Sequence, residues 1–89
     1  MRGEGKPVDM ICVCSADGEI RPLRFRLENE EHQLLRVDIE EVISSRKIPY
    51  VGAEAQVFKC RGIADGIRWQ FELKYLISIH SWVLTVGLH

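Results

Sequence analysis

The stretch Phe58-Lys59-Cys60-Arg61-Gly62-Ile63-Ala64-Asp65-Gly66-Ile67-Arg68-Trp69-Gln70-Phe71-Glu72-Leu73-Lys74-Tyr75 decides the fold class. From Ile67 to Tyr75 apolar and polar side chains alternate at every step, which is the period of a strand with one buried face. Ahead of it stands Asp65-Gly66, a dipeptide suited to the two positive-φ positions of a type I′ hairpin turn. Counting outward from that turn sets Gly62 opposite Trp69, Cys60 opposite Phe71 and Phe58 opposite Leu73 on one face. Lys59 beside Glu72 and Arg61 beside Gln70 then occupy the other. A slip of one residue would exchange the two faces, so their clean segregation supports the register.

The same count applied to Asp17-Gly18 closes the turn with Ala16 opposite Glu19 and then sets Cys12 opposite Leu23, Met10 opposite Phe25 and Val8 opposite Leu27, six apolar side chains on one face. The opposite face receives Asp9 beside Arg26, Ile11 beside Arg24 and Val13 beside Pro22. Pro22 has no N–H to give to a ladder, so its strand is expected to be an edge or to be bulged there. Near the end of the chain, Trp82, Leu84 and Val86 alternate with Val83 and Thr85, which predicts a last short strand after a turn at Ser78 to Ser81.

Between Asn29 and Ile48 the pattern supports two readings. Leu35, Val37 and Ile39 alternate as in a strand, whereas Leu35, Ile39, Val42 and Ile43 repeat as on a helix face. Asn29 as a cap, acids at Glu30 and Glu31, bases at Arg46 and Lys47, and Pro49 beyond them suit a helix. A strand from about Gln33 to Glu40 followed by an irregular stretch through Pro49 is preferred, because hairpins need a third strand before they are stable. The expected fold is therefore all-β, a small antiparallel meander of five or six strands curled into a partly open SH3-like barrel. The alternative is α+β, with a helix at about 29–46. Residues 1–6 read as a flexible lead-in and residues 7–89 as a single β domain, since 89 residues supply one modest core.

A composition of 46% hydrophobic and 28% charged residues is that of a chain that folds. A net charge of −1 argues against a dedicated polyanion binder. The N-terminal residues lack the apolar stretch of an export signal, and Leu76 to Leu88 is too short and too interrupted to span a bilayer. Three cysteines without an export signal fit reduced thiols, so the expected location is cytoplasmic, with no membrane partner.

Cys12, Cys14 and Cys60, with His32 and His80, are the residues from which a metal site would have to be built. Structural zinc usually uses a C-x₂₋₄-C knuckle, whereas Cys12 and Cys14 are spaced C-x-C, about 7 Å apart along a strand. The cysteines are therefore read as small core residues, and no metal or cofactor is assigned. No G-x-S-x-G elbow or phosphate-binding glycine loop occurs, so no catalytic residue is assigned and an enzyme ranks last. The preferred reading is a non-enzymatic binding or protein-interaction module, self-associating through a strand edge or an apolar patch. Its expected surface is Arg24, Arg26, Ile11, Val13 and Pro22. The alternative is a small nucleic-acid-binding barrel using the outward arginines of the second strand.

The order Asp17-Gly18-x-Ile20-x-Pro22-x-x-Phe25-Arg26, then Phe58-x-Cys60, Glu72-Leu73-x-Tyr75 and Trp82-x-Leu84, resembles short uncharacterised bacterial proteins of unknown function. The resemblance spans most of the chain. It implies a stand-alone bacterial β domain and brings no activity to any residue.

Overall fold

The computed structural model describes residues 2–28 and 31–89. Its strands are β1 (Arg2–Cys14), β2 (Ile20–Glu28), β3 (Leu34–Tyr50), β4 (Ala53–Ala64), β5 (Ile67–Leu76) and β6 (Ser81–Val86), with one turn of 3₁₀ helix at Ile77–Ile79. Each strand is antiparallel to the next, and β6 returns to β1, so the meander closes into a six-stranded barrel. The expected all-β meander is what forms. The helical alternative fails, because residues 34–46 lie in β3. The segment read as a lead-in joins the barrel, since β1 begins at Arg2 and Lys6 stands opposite Leu84.

The β4–β5 hairpin has the register counted from the sequence, with Gly62 opposite Trp69, Cys60 opposite Phe71 and Phe58 opposite Leu73. Asp65 and Gly66 have φ of 54° and 72°, as a two-residue type I′ turn requires. The β1–β2 hairpin departs from its count twice. Its loop holds one more residue, being closed by Ser15 N–H to the Glu19 carbonyl, with Gly18 at φ 91°. Leu23 is then bulged out, because Cys12 stands opposite Pro22 while Ile11 stands opposite Arg24. The two departures cancel, so Met10 opposite Phe25 and Asp9 opposite Arg26 are as counted. Between loop and bulge the faces exchange. Pro22, expected on the outer face, is buried, while Leu23, expected inside, is half-exposed.

β3 runs 17 residues, far past the expected end at Glu40. Its alternation is interrupted by two bulges: Glu40 is the extra residue between the partners of Ile39 and Glu41, and Ile43 that between the partners of Val42 and Ser44. With these two set aside, inward Leu35, Val37, Ile39 and Val42 follow a regular strand. The inserted residue stretches the spacing to that of a helix face, which is how the helical reading arose. The Glu40 bulge also puts consecutive acids on the outer face, where Glu40 meets Arg68 at 3.1 Å and Glu41 meets Arg61 at 2.7 Å.

The core is built from alternate residues of the strands. Phe25 and Phe71 meet edge to face with centroids 5.3 Å apart, and Phe58 packs on Trp82 at the same separation. Val37, Cys60, Leu73 and Leu84 fill the space among these rings. Burying each large side chain is worth roughly 1.5–3 kcal/mol. Trp69, at one end, donates its indole N–H to the Ala64 carbonyl at 3.2 Å, so its polar atom is satisfied beside the core.

Candidate functional site: a groove between diverging strands

β2 and β3 are paired only from Glu28 opposite Leu34 to Arg24 opposite Asp38. Beyond that point β2 continues through Pro22 toward the Ser15–Glu19 loop, while residues 39–50 of β3 pair with β4 alone. The bulges explain the parting. An extra residue increases local twist and bends its strand, and here Leu23 lies just past the last pair on β2 and Glu40 and Ile43 just past it on β3. Between the two strands runs a groove of 540 Å³, with Val13, Ile20 and Arg21 on one wall, Val42, Ser45 and Lys47 on the other, and Gln56 and Phe58 between them.

The pairing assigns faces to the β3 side chains. Ser45 opposite Phe58 and Lys47 opposite Gln56 belong to the groove face, whereas Ser44 opposite Lys59 and Arg46 opposite Val57 belong to the outer face. Both rows flank a strand edge that makes no backbone pairing with another described strand. The acids of this region sit at the loop tip, as Asp17 and Glu19. Asp17 is tied into its own loop, accepting from the Ser15 hydroxyl and from the Glu19 N–H, and these bonds hold its carboxyl below the usual range.

Of the surface expected from sequence, Val13 lies on the groove wall, while Arg24, Arg26 and Ile11 lie outside the groove and differ in character. Arg24 pairs with Asp38 at 2.8 Å and Arg26 with Asp9 at 3.2 Å, with Arg36 reaching Asp38 at 3.9 Å. Arg24 and Arg26 are each paired with a carboxylate of a neighbouring strand, and Arg36 shares Asp38 from within β3. Ile11 is 56% and Val13 41% exposed, and bulged Leu23 takes the place expected of Pro22 beside them. The groove residues Ser45, Lys47 and Gln56 were missed in the sequence. Their signal was the adjacent basic pair Arg46-Lys47 in a stretch that reads as irregular only because two bulges hide its alternation.

A second concavity, of 660 Å³, opens where β5 and β6 meet β1, and its lining includes Met10, Cys12, Ile20, Tyr75, His80 and Trp82. Tyr75 and Trp82 stack with centroids 4.8 Å apart, and the Tyr75 hydroxyl is 2.9 Å from His80 Nδ1. His80 is set there by its left-handed backbone, φ 55°, which ends the 3₁₀ turn. Burial, with smaller effects of Cys12 and Cys14, pushes the Tyr75 hydroxyl pKa up. The Tyr75 hydroxyl and the His80 ring thus satisfy each other's hydrogen bonding.

The residues considered for metal are dispersed. Cys60 is buried opposite Phe71, His32 is in the β2–β3 connection 3.6 Å from Glu28, and Cys14 is exposed near the end of β1. Among the described residues no group of three or more His, Cys, Asp and Glu side chains is placed to hold a metal ion. Among the described residues no helix is long and apolar enough to cross a membrane. In comparisons with known proteins, the chain matches no family model, no curated protein and no solved structure.

Proposed function

We propose that this chain is a non-enzymatic protein-interaction domain that takes up an extended segment of another polypeptide along the free edge of β3. The observation that carries this reading is the parting of β2 and β3 after Arg24 and Asp38, which leaves an unpaired strand edge beside a groove with a partly apolar lining. An unpaired edge presents a row of backbone donors and acceptors, and adding a strand satisfies them while side-chain pockets supply specificity. Nucleic-acid binding through Arg24 and Arg26 is less well supported, because both guanidiniums already face carboxylates. We place the domain in the cytoplasm, a placement supported by its free cysteines.

Hydrogen exchange on the protein with peptides selected from a random display library tests the reading. Slowed exchange at Glu41–Tyr50 and Ile20–Leu23 is expected on peptide addition. Protection confined to other strands would remove it.

A further inference from the structure

We infer that the segment received by the groove is acidic, with carboxylates at consecutive positions beside an apolar residue. This rests on the strand-addition reading above and specifies its partner. The argument begins with which cations are already used. Arg24, Arg26, Arg36, Arg61 and Arg68 each stand within 4.0 Å of a carboxylate, and Lys74 lies over the Tyr50 ring at 4.8 Å. Lys6, Arg21, Arg46, Lys47 and Lys59 make no ion pair among the described residues. Arg21 and Lys47 line the groove from opposite walls and Arg46 adjoins Lys47 on the outer face of β3, whereas Lys59 stands opposite Glu72 on β5 and Lys6 lies on β1. Against the groove cations stand Asp17, engaged within its loop, and Glu19.

The charge pattern also selects among occupants. A second copy pairing its own β3 antiparallel to this edge, about an axis between Arg46 and Lys47, would set each of these cations opposite the other's copy. Like charges directly opposite destabilise a pair, and Pro49 further blunts the edge. A nucleic acid would meet Asp17 and Glu19 at the loop wall, and the ring lining the groove, Phe58, is 2% exposed and offers no face for a base. An acidic strand carries no cation to oppose Arg46 and Lys47, needs no exposed ring, and has its carboxylates directed to the β3 wall rather than to Asp17 and Glu19 on the loop wall. Because Lys47 and Arg46 project to opposite faces, the matching carboxylates fall on adjacent residues of the incoming strand. An apolar residue further along, on the groove side, would then lie over half-buried Val42.

Fluorescence anisotropy on the whole chain tests this with fluorescein-labelled peptides of about ten residues, a usual strand length. One carries Glu-Asp pairs between valines, a second Gln-Asn pairs and a third Lys-Lys pairs, and a single-stranded DNA is run alongside. The acidic peptide should bind about tenfold more tightly than the amide version, as two or more modest ion pairs would give, with the advantage shrinking as salt rises. The double variant R46E/K47E, at exposed positions, should lose that preference and turn toward the lysine peptide, with its circular dichroism unchanged. Equal binding of the three peptides would overturn the acidic preference and leave strand addition standing. Absence of binding by all three would overturn both, and tighter binding of the DNA than of the acidic peptide would overturn the inference in favour of a polyanion.

Discussion

At Gly62 the absence of a side chain is a packing requirement. A Cβ there would lie 2.5 Å from the Asp38 carbonyl oxygen and 3.2 Å from the Phe71 ring, so β3 and the core ring both rely on bare backbone at that point. Gly62→Ala should destabilise the fold by about 1–3 kcal/mol, the usual cost of forcing extra volume into a packed site, read from the urea midpoint. Next along the inward face of β4, Cys60 is fully buried, and burial pushes its thiol from 9.0 up to about 12. Between those values the unfolded chain loses a proton that the folded chain keeps. The Cys60 contribution is therefore complete below pH 9 and is lost as pH climbs toward 12. The difference in urea midpoint between wild type and Cys60→Ala should narrow or reverse over that window, and parallel curves would refute the assignment. Both residues were legible in the sequence as inward neighbours, because the Asp65-Gly66 count fixed their parity. What could not be read was how close β3 approaches Gly62, a contact made between distant parts of the chain.

Strand elements were legible where alternation was unbroken and illegible where a residue was inserted. β5 declares itself from Ile67 to Tyr75, whereas β3 was cut short at Glu40 because Glu40-Glu41 looks like the end of a pattern rather than a bulge. The Asp17-Gly18 hairpin teaches the same lesson. Its core pair Met10–Phe25 emerged correctly although the loop was miscounted, because Leu23 absorbs the error, and Pro22 and Leu23 are the residues that exchanged faces. The candidate site was legible only as charge. Arg24 and Arg26 were noticed for their spacing, yet their neutralisation by Asp38 and Asp9 depends partly on β3, whose alignment the sequence left undecided. If Arg46 and Lys47 keep the β3 edge from pairing with itself, replacing them by good strand formers should release it. Arg46→Thr with Lys47→Val is expected to convert the protein to a concentration-dependent dimer by light scattering, and a variant no more associated than wild type would count against this role.

For the whole molecule the decisive contact is the return of β6 to β1, which joins the two ends of the chain and places Trp82 opposite Val8. Trp82 also packs on Phe58 and Tyr75. Trp82→Ala should cost about 3–5 kcal/mol in urea denaturation, enough to leave a small domain barely folded. A loss well under 1 kcal/mol would mean that closure contributes little. The groove has a different standing from this seam. Removing Glu40 and Ile43 from β3 leaves every β3–β4 partner as it is and restores strict alternation from Leu35 to Lys47, and removing Leu23 does the same for β1 and β2. In genetic terms, three in-frame codon deletions separate this domain from a plain barrel whose β2 and β3 run together. A chain lacking all three residues should still fold, and β3 should gain protection from exchange as far as Val42, the residue that would then stand opposite Ile20 at the start of β2. The groove would then rest on three residues whose loss leaves the β3–β4 ladder as it is.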